Sequence, residues 1–392
     1  MPFVLVIIII SIIFLNPLIP LYYQQLIYSV SLSIKSIIVF LLPFIIFSLL
    51  FRAAVNLSNN ATRIIFIILI AVCCSNFLST FMSKIVGSLV YHFNLSIILP
   101  DNFDGMVAKP LFNISPLIAN DKAMLLGVSL GILIARCKAF MALIISEKLE
   151  KMVSIILKLF TYMIPVFVAG FMIKLQADGT MSTIIRDYTL IFVIIAIAKF
   201  SYITIAYYWL NNFKISGAIF NIKNMLPAAI TGFSTMSSAA SMPLAIIGAE
   251  NNATNKDLAR SVIPATVNIH LVGDCFAIPI FAYAILKNYG ISEPSFTAYL
   301  IFAFYFMIAK FSVAAIPGGG IIVMLPILEK YLGFNADMLS LITALYILFD
   351  PVITCANVLG NGAFAKGIER LISNNNLKKY YKPISQSYKS SQ

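Results

Sequence analysis

Long apolar runs separated by short polar joints set the rhythm of this chain. The opening run, MPFVLVIIIISIIFLNPLIP, is followed by a second over about 33–56 that ends near Arg52. A third opens at Arg63 and continues to about Val90, and three more lie near 123–143, 150–175 and 184–210. A bilayer-spanning helix needs about 20 predominantly apolar residues, so these six runs are predicted as spanning helices. The opening run has no Lys or Arg before it and no small-residue cleavage site after it, which argues for a first spanning helix and against a cleaved signal peptide. Its abrupt start leaves room for a short cytoplasmic lead ahead of Met1. The polar stretch 92–122 holds Asp101, Asp104, Asp121 and the sequon-like Asn113-Ile-Ser115, with little positive charge, and is expected as an external loop. Arg136, Lys138, Lys148, Lys151 and Lys158 are expected to mark a cytoplasmic turn, and Tyr207, Tyr208 and Trp209 an interfacial belt.

After about residue 216 the pattern changes. Four apolar segments follow, each interrupted at its middle by small or polar residues. The first, 219–248, contains Thr231-Gly-Phe-Ser-Thr-Met-Ser-Ser-Ala-Ala-Ser241 and then Pro243. The second, 257–288, contains Pro264-Ala-Thr-Val-Asn-Ile-His270 and then Asp274. The third, 297–330, carries Ala314-Ala-Ile-Pro-Gly-Gly-Gly320, and the fourth, 338–372, carries Asp350-Pro-Val-Ile-Thr-Cys-Ala-Asn357 followed by Gly360-Asn-Gly362. Backbone that leaves a helix at membrane depth must be buried in protein or face a water-filled cavity. The first and third segments are therefore predicted as re-entrant hairpins, and the second and fourth as interrupted spans. Broken apolar segments of this kind point to the binding site of a transporter.

Composition agrees with a bilayer as the solvent. Sixty per cent of the 392 residues are hydrophobic and 11% are charged, where a soluble domain carries about 25% charged residues. The net charge of +12 lies between apolar segments and in the tail, where positive charge orients membrane proteins, and not on one face suited to nucleic acid. The five cysteines lie inside apolar runs and read as small buried hydrophobes. Two histidines cannot form a His-rich metal cluster. The tail 373–392 is polar and basic, as expected of a disordered cytoplasmic end.

The four interrupted segments, in that order, resemble the core of the dicarboxylate/amino-acid:cation symporter family, the glutamate transporters. Leu42-Pro-Phe-Ile-Ile-Phe-Ser48 also resembles the family's Pro-bearing second helix. The resemblance implies an all-α polytopic membrane protein with about eight transmembrane helices and two re-entrant helical hairpins. It further implies a homotrimer in which residues 1–218 are mostly scaffold and trimerisation surface and 219–372 form a transport core moving like an elevator. The implied activity is symport of an amino acid or dicarboxylate with sodium or protons, with no enzymatic reaction and no cofactor. The expected location is the plasma membrane, as a multi-pass protein of a bacterial inner membrane.

Residue by residue, Ser237 and Ser238 match the substrate-binding serines of the first hairpin, although Ser and Ala there also permit close helix packing. Asp350 matches the aspartate that binds the substrate amino group, the alternative being a structural pair with Lys310. Thr354 and Asn357 match the same site, with Asn357 taking the α-carboxylate. Pro317 and Gly318 match the tip of the second hairpin that gates it. Thr266 and Asn268 match polar contacts to cations at the helix break, or serve only to pack it.

Two departures shape the expected substrate and ion. The family's arginine for a side-chain carboxylate falls on Ile353, and its alternative on Met236, which favours a small or neutral amino acid. A second carboxylate entering such a pocket without a partner costs several kcal/mol, and Lys310 is the only other candidate cation. The family's cation-binding aspartates fall on His270 and Asn361, and Lys310 falls beside a sodium position, which weighs against sodium coupling of the family type. His270 and Asp274, four residues apart, are expected either as a proton-binding pair or as a satisfied core histidine on an aspartate. The rival readings are an uncoupled, channel-like conductance and a degenerate paralogue on the same fold. No His-Glu-x-x-His, Gly-x-Ser-x-Gly or aspartate dyad supports an intramembrane enzyme.

Overall fold

With no water to bond backbone groups in a bilayer core, a polytopic chain closes its own hydrogen bonds within helices. Every regular element among the described residues is accordingly helical. The computed structural model describes residues 7–8, 11–12, 14–59, 63–93, 108–118, 120–177, 181–313 and 318–374. Positions 1–6, 9, 10 and 13 of the opening run, the acidic positions 101 and 104, and the tail from 375 onward lie outside them.

The helices are α1 (Leu21–Asn59), α2 (Arg63–Tyr91), α3 (Asn120–Cys137), α4 (Ala139–Ala177), α5 (Met181–Leu210), α6 (Ile215–Thr235), α7 (Ser238–Asn252), α8 (Lys256–Thr266), α9 (Val272–Asn288), α10 (Phe296–Ala309), α11 (Gly319–Leu332) and α12 (Ala336–Asn374). Among the described residues four stretches are long and apolar enough to cross a membrane: Leu21–Arg52, Phe66–Tyr91, Arg186–Leu210 and Ala336–Ile372.

Three local expectations need correction. The join between α3 and α4 is only Lys138, and Lys148, Lys151 and Lys158 lie within α4. Glu147 and Lys151 stand one helical turn apart, a spacing that supports a helix, and Glu150 pairs with Arg52 of α1. Tyr207 is not interfacial: it is fully buried and its hydroxyl donates to Leu359 O at 3.0 Å. The expected interruption of the last segment is also absent, because α12 runs unbroken through Asp350-Pro351. Gly360 and Gly362 instead let neighbours approach. A methyl at Gly362 would lie 2.7 Å from Met225 Cγ.

The described part of the expected external loop is docked, not free. Ser33 Oγ accepts from Leu111 N at 2.8 Å, and Ser36 Oγ accepts from Ile114 N at 2.7 Å and donates to Asn113 Oδ1 at 3.2 Å. These bonds tie the sequon-like stretch to α1.

Helices α1, α3 and α4 pack on one another, whereas α2 lies against α9 and α10, and α5 against α12 and α9. In the first group, Gly127 and Gly131 of α3 form a small-xxx-small stripe facing α1. A methyl at Gly131 would lie 2.8 Å from Phe51 O and 2.7 Å from Ala54 Cβ, and one at Gly127 would lie 2.7 Å from Phe47 O. Backbone oxygens cannot swing aside, so Gly131→Ala is expected to cost about 1–3 kcal/mol by overpacking. A fall in the melting temperature of purified protein checks this, and an unchanged value contradicts it.

Candidate functional site

Two helical pairs and one broken helix converge on the long α12. The first pair, α6 and α7, turns through Met236 and Ser237. Met236 takes a left-handed conformation (φ 55°), and Ser237 caps α7 by accepting from Ala240 N at 3.3 Å. The arms run antiparallel, since Asn252 near the end of α7 donates to Asn221 O near the start of α6 at 2.9 Å. The second pair, α10 and α11, is antiparallel as well, with Tyr305 and Tyr331 stacked at 4.4 Å. Its turn passes through a short 3₁₀ segment, Lys310–Ser312, and re-enters helix at Gly318, whose φ of 73° suits glycine. Pro317 lies outside the described residues.

Between the pairs, α8 ends at Thr266 and α9 begins at Val272, leaving 267–271 out of the helix. The orphaned backbone there is satisfied by α2. Asn76 Nδ2 donates to Ile269 O at 2.7 Å, and Asn76 Oδ1 accepts from Leu271 N at 3.2 Å. Gly273 N, in the first turn of α9, donates to Asn357 Oδ1 of α12 at 2.8 Å. Thr266 donates its hydroxyl to Val262 O within its own helix at 2.9 Å.

Two buried aspartates face each other across this junction. Asp274 Oδ2 accepts from Lys310 Nζ at 3.0 Å, and its Oδ1 accepts from Tyr346 OH at 2.9 Å, with Asn357 Nδ2 at a longer 3.5 Å. Asp350 accepts from Gly318 N at 2.8 Å and from Thr354 Oγ1 at 3.1 Å, which ties the second hairpin tip to α12. Ser238, Asn268, Asp274, Asp350, Thr354 and Asn357 all line one small cavity of about 20 Å³. A water needs roughly 10–15 Å³ on this measure, so the cavity in this conformation holds little more than one. Among the described residues no lysine or arginine lines it, and Met236 does.

The structure separates two expected pairs. Asp350 is not bonded to Lys310, because Asp274 takes that ammonium. Nor do His270 and Asp274 meet, because 267–271 is not helical and the four-residue spacing loses its phase. His270 Nε2 bonds Ser75 Oγ at 2.8 Å, and its Nδ1 bonds Asn361 Oδ1 at 3.2 Å. It faces a different, larger cavity of about 480 Å³ between α2, α5 and α12. Asn361 therefore sits with His270, away from the two aspartates.

Four participants had no place in the sequence reading: Ser75, Asn76, Tyr346 and Lys199. Asn76 has a signal. Asn76, Ser79, Thr80 and Ser83 recur at three- and four-residue spacing and are all fully buried, a polar stripe on an apolar span. Lys199 lies in mid-α5, is fully buried, and its Nζ has no hydrogen-bond partner among the described residues. It sits 4.3 Å from the centroid of the Phe349 ring.

A model of the sodium:dicarboxylate symporter family matches residues 2–371. The chain belongs to that family. It is a multi-pass membrane protein, as the family and its apolar helices require. Bovine excitatory amino acid transporter 1 is 25% identical over 261 residues, 62% of this chain and 47% of that protein. The same-named protein of Ambystoma tigrinum is 29% identical over 184 residues, 42% of this chain and 33% of its own. The human one is 25% identical over 230 residues, 58% and 41% respectively. The matched stretch spans less than half the length of each of these relatives.

Proposed function

We propose that this chain is a secondary transporter that moves an amino acid across a membrane with a coupled cation. The observation that carries this reading is the cavity between two helix–turn–helix tips and a broken helix, lined by Asp350, Ser238 and Asn357. Asp350 supplies the negative charge for an α-ammonium group. The first turn of α7 at Ser238 and the amide of Asn357 supply donors for an α-carboxylate. The second hairpin, tied to Asp350 through Gly318, serves as the gate. The relatives are named as excitatory amino acid transporters, which supports the same substrate class. The family description carries sodium as the coupling ion.

No cation among the described residues lines the cavity, and Lys310 is held by Asp274, so a small or neutral amino acid suits the site better than glutamate or a dicarboxylate. Elevator-type alternating access of the core, re-entry of the two hairpins into the bilayer, a homotrimeric scaffold and a plasma-membrane location complete the reading.

A thermal-shift screen of purified protein against the twenty amino acids and several dicarboxylates tests it, since ligands that bind the folded state raise its melting temperature. Small neutral amino acids are expected to stabilise and dicarboxylates not to. Stabilisation by dicarboxylates alone would reverse the substrate assignment, and no stabilisation by any of them would remove the transporter reading. A second reading, uncoupled conductance on the same scaffold, is favoured by one observation: Asn361 and His270 bond each other where coupling carboxylates are expected. Counterflow of labelled substrate in proteoliposomes separates the two, because exchange requires alternating access.

A further inference from the structure

The cavity of about 480 Å³ beside His270 shares no lining residue with the proposed substrate site. It lies between α2, α5 and α12, three helices long and apolar enough to cross a membrane. Its volume falls within the roughly 300–1,000 Å³ of small-molecule sites. Alanine, isoleucine, leucine, phenylalanine and glycine make up most of its walls and give water few partners.

The cavity is a groove along α12. From Gly360 to Leu371 it runs about 16 Å at 1.5 Å per residue. That is roughly half of the ~30 Å hydrocarbon core, the depth of one leaflet. Gly360, Ala363 and Gly367 share one face of α12 and keep that wall low. Packing among the described residues does not demand the two glycines. A methyl at Gly367 would meet nothing nearer than Leu210 at 3.8 Å, and one at Gly360 nothing nearer than Val272 at 3.4 Å. Glycine weakens a helix interior, and what these two preserve is the volume of the groove.

The two ends of the groove differ. At the inner end both ring nitrogens of His270 are bonded, to Ser75 Oγ and Asn361 Oδ1, which suits an apolar neighbour. At the outer end stand Arg370, half-buried, and Trp209, 56% exposed. The guanidinium lies 5.6 Å from the Trp209 ring centroid and donates to Trp209 O at 3.0 Å. The adjacent Glu369 is engaged elsewhere, accepting from Asn255 N at 2.6 Å. Tryptophan sits at the headgroup level of a bilayer, so the arginine puts positive charge at that level. Lys378, Lys379 and Lys382 follow in the sequence, which argues for the cytoplasmic side, where anionic lipids attract basic residues.

We propose that this groove holds one anionic phospholipid per protein chain. Its headgroup lies at Arg370, and one acyl chain runs past Gly367 and Ala363 to Gly360 and His270. The site is separate from the substrate cavity, and the proposal stands apart from the transport reading.

Purified full-length protein, stripped of lipid in a non-ionic detergent, is titrated with phosphatidylglycerol or phosphatidylcholine in mixed micelles, and with inorganic phosphate alone. Melting temperature reads stabilisation, and native mass spectrometry counts retained lipids. Phosphatidylglycerol is expected to give a saturable rise with one lipid retained per chain, phosphatidylcholine a smaller rise and phosphate none. Arg370→Gln should weaken phosphatidylglycerol about fivefold, the share of one basic residue near an anionic surface. Gly367→Leu, which fills the groove, should abolish the retained lipid while the lipid-free melting temperature stays level or rises. Equal stabilisation of wild type by the two lipids, a rise with phosphate alone, or a folded Gly367→Leu that keeps the lipid would overturn the proposal. So would an Arg370→Gln protein with undiminished affinity. If Gly367→Leu does not fold, the wild-type comparison and Arg370→Gln decide.

Discussion

Asp274→Ala is expected to destabilise the protein by about 3–5 kcal/mol, because it leaves the Lys310 ammonium fully buried with its carboxylate gone. The cost comes from the stranded charge more than from the lost bond. Replacing both charges together, as Asp274→Asn with Lys310→Met, should recover most of the loss, since a buried ion pair exchanged for neutral groups of similar volume is often neutral in stability. Tyr346→Phe removes one hydrogen bond to the same carboxylate and should cost only about 0.5–1.5 kcal/mol. Melting of the single and double variants checks the order. A double variant as unstable as Asp274→Ala would show that Lys310 is not the source of the penalty.

Asp350→Asn should have the largest effect on ligand binding. The asparagine keeps an oxygen to accept from Gly318 N, so the hairpin tip stays tied and the melting temperature without ligand should change little. What is lost is the charge proposed to face the substrate ammonium. Removing one member of a desolvated charge pair costs about 2–5 kcal/mol, or roughly 30- to 4000-fold in affinity. Amino-acid titrations followed by thermal shift read this directly. Retained affinity in a folded Asp350→Asn would move the ammonium site elsewhere in the cavity.

Much of this architecture can be read along the chain wherever a local signal suffices. The Ser-rich turn at Met236-Ser237 and the Gly-rich re-entry at Gly318 interrupt apolar helices, and each becomes the turn of a helical pair. The Asn268 break is legible for the same reason. Legibility ends where a contact is decided by a distant segment. Pro351 and Gly360 look like a break, yet α12 continues through both, with Gly360 packed against Val272 of α9. His270 and Asp274 share a helical spacing in the sequence, and only the loss of helix at 267–271 turns them toward different cavities. Lys199 gives no local hint of its surroundings, because burial by other helices is what makes a lone lysine informative.

The clasp made by Asn76 also fixes an order of events. Its two bonds at the helix break reach across 193 and 195 positions of sequence. A ribosome adding about 5–20 residues per second needs roughly 10–40 s to cover that distance. For that interval α2 already exists while the carbonyl and amide that will occupy its asparagine have not been made. The nascent α2 must therefore keep the Asn76 amide satisfied by water, by the insertion machinery or by another helix, and the broken helix cannot settle until the exchange occurs. Assembly of the core is in this sense completed backward, by a late segment that claims an early one.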